Sequence, residues 1–433
     1  MKKSFWSDSA ALPSFPKLEG EIKTDVLIIG GGICGLLCAY CLDRAGIDYV
    51  LVEGDRIASG ITKNTTAKIT AQHGLIYAKL LRDMDGEKAK MYLAANLKAV
   101  DEYEKLCRSI ECDFKKMSSY VYTLRDRKKI EEEMKALELL GYKAKFTDKT
   151  ELPFDILGAV CFEEQAQFDP LKFIFGISRN LKIYENTFIR DITPHSAISD
   201  SGKIIAKKII IATHFPFINK HGSYFLKLYQ HRSYVSAFSG AQSLNGMYVD
   251  EDMKGMSFRP HNDLLFIGGG GHRTGKNGGN WAELRSFAKK FYPKADLKYE
   301  WAAQDCMSLD GVPYIGRYSA RTSDLFVASG FNKWGITSSM VAARILTDLV
   351  QEKKNVFAEV FSPSRGILKP QLFVNGFETT MNLLTPTVPR CPHLGCALKW
   401  NKAERTWDCS CHGSRFEKDG TIIDNPSSGD AKI

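Results

Sequence analysis

The sequence predicts a multidomain α/β protein. It comprises a doubly wound, Rossmann-like α/β domain, an interleaved α+β domain built on an antiparallel sheet, and a small all-β domain at the C-terminus. Residues 25–53 follow a strand–glycine turn–helix–strand pattern, and from about 230 to 300 short strands alternate with glycine-rich turns. Residues 386–433 have a composition of their own, rich in Cys, His, Trp and Gly. A chain of 433 residues is long enough for two or three such domains.

Composition and charge narrow the classes of function. The chain is 44% hydrophobic and 25% charged, which is typical of a globular protein, and its net charge of +9 comes without a basic stripe interleaved with aromatic residues. Nucleic acid is therefore not an expected partner. The longest apolar runs fall far short of the ~20 residues that a membrane span needs, and the N-terminus lacks the apolar core of a signal peptide. We expect a cytoplasmic protein with no membrane span.

The first βαβ unit carries a dinucleotide-binding pattern. Gly30-x-Gly32-x-x-Gly35 follows a short apolar strand and opens a helix, and an acidic residue, Glu53, ends the next strand. Gly30 permits the tight turn, Gly32 lets the backbone approach a pyrophosphate, and Gly35 lets helix and strand pack closely. The helix N-terminus then faces the phosphates, and Glu53 can accept hydrogen bonds from ribose hydroxyls. The pattern predicts a bound dinucleotide and leaves FAD and NAD both open, with a glycine-rich turn that binds nothing as the alternative.

The remaining periodicity predicts how the domains are arranged along the chain. Helices are predicted over 86–109, 127–140 and 337–350, and strands over 182–192, 203–213 and 325–328. We predict a body over residues 1–360, with dinucleotide-binding parts at about 20–80, 150–225 and 305–355 and parts of the second domain at about 81–149 and 226–304. Prolines and weak periodicity mark 361–385 as a linker to a C-terminal domain over 386–433.

Two further regions resemble parts of the FAD-dependent amino-acid and amine oxidases, the group of D-amino-acid, glycine and sarcosine oxidases. They are Asp55–Thr62 with Asn64–Lys68, and Asp310–Gly316 with Ala328–Thr337. The resemblance covers about residues 20 to 355 and implies FAD as the cofactor. It implies that backbone N–H groups and a helix N-terminus meet the flavin pyrimidine, where negative charge builds on reduction. Besides the glycine turn, the cofactor-binding residues that it implies are Gly60, Thr62, Thr65, Ile189, Ala212, Gly330, Gly335, Ile336 and Thr337.

The C-terminal domain carries two short Cys/His motifs, the most specific signal in the chain. They read Cys-Pro-His-Leu-Gly-Cys from 391 to 396 and Cys-Ser-Cys-His-Gly-Ser from 409 to 414. A Rieske [2Fe–2S] cluster needs two thiolates on one iron and two imidazoles on the other, and the motifs can supply that set. A zinc site is the alternative, but the order Cys-His…Cys-His does not match the common Cys-Cys…His-His finger.

These motifs resemble the high-potential branch of the Rieske family. On that match the metal ligands are Cys391, His393, Cys409 and His412. The resemblance also implies that the two remaining cysteines, Cys396 and Cys411, form a disulfide that holds the cluster loops together.

Three further positions bear on the cluster by the same resemblance. Ser414 stands where high-potential members place a hydroxyl that hydrogen-bonds a sulfur, but Phe416 stands where they have a tyrosine. Since such hydrogen bonds raise the potential, we expect an intermediate one. Asn425-Pro426-Ser427 resembles the proline loop that covers the cluster.

Candidates for catalysis lie in the predicted antiparallel sheet. Arg259 resembles the position from which some family members hold a substrate carboxylate, a task that suits a guanidinium fork. His272 is the second predicted catalytic residue, and Arg232 is a further candidate. A structural or surface role is the alternative for each. Cys306 stands near the place where monomeric sarcosine oxidase attaches its flavin, and we expect a buried spectator thiol there.

Together the two resemblances imply an FAD-dependent oxidoreductase with an iron–sulfur relay. The substrate is expected to be a small amine or amino-acid-like molecule. Electrons would pass from flavin through the Rieske cluster to an external acceptor, either a protein or a quinone-like molecule. The alternative is an electron-transfer or redox-sensing protein with no organic substrate of its own. A large, partly apolar pocket over the flavin would favour the enzyme.

Overall fold

The computed structural model describes residues 2–218, 221–386 and 389–433. The elements of the first part are β1 (Gly20–Ile29), α1 (Ile33–Arg44), β2 (Tyr49–Val52), β3 (Lys68–Ile69), α2 (Ile76–Asp83), α3 (Gly86–Cys107), β4 (Lys115–Lys116), β5 (Ser118–Thr123), α4 (Arg127–Leu139), β6 (Lys145–Thr147), β7 (Gly158–Phe162), β8 (Ala166–Gln167) and α5 (Pro170–Ser178). The middle part contains β9 (Ile183–Tyr184), β10 (Ile189–Thr193), β11 (Ser196–Ser199), β12 (Gly202–Ile211), α6 (Tyr224–Lys227), β13 (Leu228–Ser239), β14 (Gly246–Asp250), β15 (Ser257–His261), β16 (Leu264–Arg273), α7 (Asn280–Phe291) and β17 (Asp296–Ser308). The last part contains β18 (Tyr314–Arg317), β19 (Leu325–Ser329), α8 (Gly335–Val350), α9 (Ala358–Phe361), α10 (Pro370–Leu384), β20 (Leu398–Asn401), β21 (Thr406–Cys409), β22 (Arg415–Phe416) and β23 (Ile422–Asp424).

The first sheet is the predicted doubly wound sheet. Its parallel strands run in the order β9-β2-β1-β12-β19, with antiparallel strands β10, β11 and β18 at its margins. Ile28 on β1 pairs with Leu51 and Ile210 on the neighbouring strands, and all three are fully buried. Strands covered on both faces need such continuous apolar runs. Helices α1 and α8 pack against each other beside this sheet.

The second sheet is the predicted antiparallel one, except that β5 and β14 pair in parallel where two separate parts of the chain meet. Its strand order is β17-β13-β16-β15-β14-β5-β7-β6, so strands from residues 118–162 join strands from residues 228–308. β13 and β17 form its longest pairing, from Leu228 opposite Ser308 to Ser239 opposite Asp296. The predicted α+β domain interleaved with the first domain is thereby confirmed.

The C-terminal domain is a small antiparallel sheet in the order β20-β21-β22-β23. Its core is built largely from the cysteines of the two motifs, together with Leu398 and Phe416. So small a sheet has little apolar surface to bury, so cross-links and metals are expected to contribute to its stability. The predicted all-β C-terminal domain is confirmed.

The predicted linker contains a regular helix. α10 spans Pro370–Leu384 within the range 361–385, and Pro370 occupies its first turn, where proline is favoured. The weak periodicity arises because this helix buries asparagines, Asn375 and Asn382, instead of an apolar stripe. The domain limits remain predictions. Within the described residues, no helix is long and apolar enough to cross a membrane.

Candidate functional site

A cavity of about 1600 Å³ lies between the first and second sheets and extends to the C-terminal sheet. It opens at the carboxyl ends of β1, β2, β12 and β19, the usual ligand site of such sheets. The predicted cofactor-binding residues that line it are Gly30, Gly32, Glu53, Gly60, Thr62, Thr65, Ile189, Ala212, Gly335 and Ile336. Gly35, Gly330 and Thr337 are not part of this lining. Thr337 is instead hydrogen-bonded to Thr70, its Oγ1 donating to the carbonyl at 2.8 Å.

The glycine turn is shaped as a phosphate site requires. Gly30 has φ +111°, a left-handed value that favours glycine, and a Cβ there would lie 2.6 Å from the carbonyl oxygen of Ala212. A Cβ on Gly35 would lie 1.9 Å from the carbonyl oxygen of Gly30. Gly35 therefore does not contact the cavity. It lets α1 pack closely against the glycine turn, so that the N-terminus of α1 points into the cavity.

Two side chains, those of Glu53 and Thr62, accept hydrogen bonds from backbone N–H groups in and beside this turn. The carboxylate of Glu53 accepts hydrogen bonds from the backbone N–H groups of Gly31 at 2.6 Å and Asp55 at 3.0 Å. Thr62 Oγ1 accepts from the N–H of Ile33 at 3.0 Å, in the first turn of α1. Burial raises the pKa of Glu53. A half-buried acid beside a helix N-terminus suits recognition of ribose hydroxyls next to a pyrophosphate, as the fingerprint predicts.

The N-terminus of helix α8 forms another part of the cavity wall. Gly335 begins the helix and lines the cavity together with Lys333, whose side chain is solvent-exposed. Trp334 stacks on His73, with ring centroids 5.1 Å apart. A helix N-terminus and a lysine in one wall can stabilise a negative charge that develops in the cavity.

Lys68 is a cavity residue to which the sequence assigned no role. Its Nζ donates to Thr66 Oγ1 at 3.0 Å and lines the cavity. Burial, and then the charge of Arg259, lowers the pKa of this lysine to about 7. A group that titrates near neutral pH inside a cavity is suited to take up and release protons. Lys68 lies half-buried on β3, and the sequence alone gives no sign that it lines a cavity.

Arg259, predicted to hold a substrate carboxylate, does not belong to the cavity lining. The side chain is fully buried on β15, donates from Nη2 to the carbonyl oxygen of Phe168 at 2.8 Å, and lies over the ring of Trp6. Burial lowers its pKa to about 9. Its role in substrate binding stays a prediction, and the register of β15 turns it toward the N-terminal segment.

His272, the other predicted catalytic residue, also lies outside the lining. Its Nδ1 donates to the carbonyl oxygen of Arg273 at 2.9 Å, and its Nε2 lies 3.0 Å from the hydroxyl of Tyr234. Burial lowers the pKa of His272, which favours the neutral ring. Through Tyr234 it borders the C-terminal domain, since that hydroxyl also lies 3.1 Å from Glu404 Oε1. A catalytic role for His272 stays a prediction.

Cys306 lies in the cavity wall as a buried thiol. Its Sγ is 3.5 Å from Ser329 Oγ. Burial raises the pKa of this thiol to about 12, which disfavours the reactive thiolate.

The two Cys/His motifs come together at one end of the C-terminal sheet. Cys391 and Cys409 are buried thiols in contact with each other, and this contact lowers the pKa of Cys391 to about 7. The rings of His393 and His412 lie 4.9 Å apart, edge to face. The structure therefore brings the four predicted ligands together as two pairs, one of thiols and one of imidazoles.

The remaining two cysteines are bonded to each other. Cys396 and Cys411 form a disulfide across a sequence separation of 15. The sulfurs of Cys396, Cys409 and Cys411 lie within 4.8 Å of one another, but the bonded pair has no thiolate to offer a metal.

The donor set fits a metal centre held by two thiolates and two imidazoles. Both ring nitrogens of His412 are buried, and neither has a partner in hydrogen-bonding geometry among the described residues, as expected for a ring aimed at a metal. Ser414 Oγ contacts Cys391 and accepts the N–H of Ser427 at 3.0 Å. Hydroxyl and backbone donors around ligand sulfurs are the outer contacts that tune a cluster. Phe416 is fully buried beside these cysteines and offers no such donor.

The cluster loops dock directly on the second sheet. Gln304 Nε2 on β17 donates to the carbonyl oxygen of Gly413 at 2.8 Å, and Arg273 donates to the carbonyl oxygens of Ser410 and Cys411. On the other side, Asn425 Nδ2 donates to the carbonyl oxygens of residues 213 and 215, next to the end of β12. The proline-loop segment thus bridges the two domains.

A buried ion-pair network closes this interface. Glu404 accepts from Arg232 Nε at 2.9 Å, with a second contact to Nη2, and from Arg415 Nη2 at 2.8 Å. Arg415 also pairs with Asp408 and Asp424. The sequence analysis gave Arg232 as a further candidate for catalysis. In the structure this arginine pairs with Glu404, 172 residues away in sequence.

Comparison with known families matches both parts of the chain. The family described as DAO, FAD dependent oxidoreductase, matches residues 25–349, and the Rieske [2Fe-2S] domain family matches residues 381–432. YhfW of Bacillus subtilis, whose name describes a Rieske 2Fe-2S iron-sulfur protein, is 32% identical over 98% of this chain and 96% of its own length.

More distant relatives match the body. Gamma-glutamylputrescine oxidoreductase of Escherichia coli is 23% identical over 80% of this chain and 88% of its own. The crystal structure of glycine oxidase from Geobacillus kaustophilus has a TM-score of 0.67 at 18% identity, covering 80% of this chain and 99% of that one. L-proline dehydrogenase from P. horikoshii has a TM-score of 0.67 at 17% identity, covering 81% and 98%. At such identities these structures show the fold alone.

Proposed function

Because the chain belongs to the DAO family of FAD-dependent oxidoreductases and ends in a Rieske [2Fe-2S] domain, we propose that it oxidises a small amine or amino-acid-like substrate and passes the electrons through the cluster to an external acceptor. Its cofactors are FAD and the Rieske cluster. The observation that carries the proposal is the direct docking of the cluster loops on a wall of the FAD cavity.

The size of the cavity supports an enzyme over a carrier without substrate. Ligand pockets are usually ~300–1,000 Å³, so a space of about 1600 Å³ leaves room beyond a cofactor. The names of the relatives indicate the substrate class. Glycine, proline and gamma-glutamylputrescine all carry a C–H bond on a carbon next to an amine nitrogen, and its oxidation gives an imine. When bound, FAD supplies the acceptor for the hydride of such a bond.

Lys68 is our candidate for the group that accepts the proton released by the substrate during amine oxidation. An amine must be neutral at nitrogen to release hydride from the adjacent carbon, and the substrate ammonium must therefore lose a proton. Lys68 lines the cavity with a pKa of about 7, so it can receive that proton near neutral pH. Lys333 and the N-terminus of α8 lie in another wall, where their positive charge favours the reduced cofactor.

A short path leads from the cavity to the cluster loops. Cys306 lines the cavity, and Gln304, two residues before it on β17, holds the carbonyl of Gly413. Alternate residues of a strand are about 7 Å apart, so only a few side chains separate the two sites. The Rieske cluster supplies one-electron transfer to the acceptor, for which a protein or a quinone-like molecule remains our expectation. We also propose cytoplasmic placement and the domain limits given above.

An anaerobic substrate screen tests the proposal. Purified holoprotein is mixed with small amines and amino acids while the flavin and cluster absorption bands are followed. We expect one compound to bleach the flavin and then the cluster, with two electrons leaving each substrate molecule. If no amine or amino acid bleaches the flavin, the carrier or sensor function replaces the enzyme. If the flavin bleaches but the cluster never reduces, the relay is wrong.

Two variants separate the steps. Cys391→Ser removes a predicted ligand, so flavin bleaching should persist while electron transfer to the acceptor is lost. Lys68→Met should slow flavin bleaching about 100-fold near neutral pH, within the usual range for loss of a general base, and should remove an inflection near pH 7. An unchanged pH profile would remove Lys68 from the mechanism.

A further inference from the structure

Helix α10 presents an apolar face to solvent. Phe373, Phe377 and Leu384 are 69%, 66% and 74% exposed, at a spacing of one or two helical turns. Further exposed apolar side chains on and beside this face are Leu368, Val374, Met381 and Leu383. The side of the helix facing the protein instead buries Asn375 and Asn382. An ordinary surface helix buries its apolar side chains and exposes its polar ones, whereas α10 does the reverse. A contiguous exposed apolar surface indicates an interaction site.

The apolar face continues into the cluster loop. Arg390 donates to the carbonyl oxygens of Leu383 at 3.1 Å and Gly395 at 3.0 Å, and thereby joins the end of α10 to the first Cys/His loop. Leu394, at the tip of that loop, is 40% exposed. The surface therefore extends from α10 to the residue next to His393, a predicted cluster ligand.

The charge around this face is positive. Glu378 is the single acid in α10, and it pairs with Lys276 at 2.7 Å. Lys369 precedes the helix, and Arg390 follows it and donates to the backbone carbonyl oxygens of residues 382, 383, 385 and 395. An apolar face flanked by two cations, on a helix whose one acid is paired, is complementary to the surface of an anionic lipid bilayer.

We propose that α10 and the tip of the first cluster loop bind a phospholipid bilayer at its surface. Fifteen residues of helix span about 22 Å, too short to cross a bilayer but enough to lie in its interface. Phe373, Phe377 and Leu384 would enter the acyl boundary, and the cluster loop would face the lipid phase. For electron transfer this inference rests on the proposed function: a quinone in the bilayer would take two electrons, one at a time, with two protons from water, to become a quinol.

Vesicle flotation tests the bilayer contact directly. Holoprotein purified without detergent is mixed with vesicles of phosphatidylglycerol and phosphatidylcholine, or of phosphatidylcholine alone, and the floating fraction is measured. We expect binding to the anionic vesicles. Phe373→Ser with Phe377→Ser should weaken it at least about tenfold, since two exposed aromatic rings are lost. Leu139→Ser, which removes a side chain 75% exposed on α4, is the matched control and should bind as the unaltered protein does.

Other outcomes overturn the inference. It fails if the unaltered protein does not float with anionic vesicles, or if the double variant floats equally well. It also fails if the unaltered protein is a dimer that the double variant dissociates, because a second copy then covers the face. Flavin and cluster spectra show that each variant is folded. Flotation needs no substrate, so a failure of the proposed enzyme activity would be seen separately in the anaerobic screen.

Discussion

Replacing Glu404 by Gln perturbs the buried ion pairs that join the C-terminal domain to the body. The Glu404 side chain is 4% exposed and lies between the guanidinium groups of Arg232, on β13, and Arg415, on β22. The amide of a glutamine keeps the shape but removes the charge. Arg415 retains Asp408 and Asp424, whereas Arg232 loses the one carboxylate that contacts it among the described residues. The variant therefore leaves one buried cation without a counter-charge.

Two routes to the magnitude agree. Removing one partner of a buried ion pair costs about 3–5 kcal/mol, and the low end applies because Arg415 keeps other partners. Burial alone would raise the pKa of Glu404, but the charges of Arg232 and Arg415 overcome this and lower the pKa from 4.5 to about 2. A depression of that size corresponds to about 3 kcal/mol of stability. Because the folded pKa is lowered, this stability is full above about pH 5 and is lost as the pH falls toward 2.

Urea unfolding followed by the visible circular dichroism of the cluster measures the effect. At pH 7 we expect Glu404→Gln to lose about 3 kcal/mol of the free energy of unfolding of the docked domain. The unaltered protein should lose stability between pH 5 and pH 3 more steeply than the variant. Glu352→Gln, which removes a surface partner of Lys208, is the control and should be unchanged. A loss below about 1 kcal/mol, or parallel pH profiles, would refute the interface network as the element that holds the domain.

Three further predictions follow from the site. Gly35→Ala should abolish FAD binding, measured by flavin retained on gel filtration, because its Cβ would lie 1.9 Å from the carbonyl oxygen of Gly30; a yellow variant would contradict this. Cys396→Ser should cost about 3 kcal/mol of unfolding free energy, the value for a loop of 15 residues, and unchanged urea midpoints with and without reductant would count against it. Phe416→Tyr should raise the reduction potential of the cluster by adding a hydroxyl near the ligand sulfurs, and an equal potential in voltammetry would dismiss that role.

Local motifs were predictable because the physics that fixes them is local. The glycine turn follows from steric contact between Gly30 and Gly35, five residues apart, and the same positions recur in the structure. β2 ends at Val52, directly before Glu53, where the second strand was predicted to end, and α8 begins at Gly335, within two residues of the predicted start. The Cys/His motifs set their chemistry by residue type and order, so the ligand set and the Cys396–Cys411 pairing could be expected by resemblance.

What the sequence could not predict depends on pairing across long separations. Arg232 and Glu404 are 172 residues apart, and nothing in either neighbourhood indicates the other. Arg259 sits in a motif that resembles a substrate site, but whether a strand residue points to the cavity or to the core is decided by tertiary register. In α10 a signal was present: Phe373, Phe377, Met381 and Leu384 recur at helical spacing, but the prolines around them favoured a linker.

Intramolecular electron transfer is the central claim, and low-temperature electron paramagnetic resonance tests it most directly. Holoprotein is reduced anaerobically at the flavin by a brief light pulse and frozen after increasing delays, at several protein concentrations. We predict that the signal of the reduced Rieske cluster grows as the reduced flavin disappears, at a rate independent of protein concentration. A reduced flavin that persists beside an oxidised cluster, or a rate that rises with concentration, would contradict a relay within one chain.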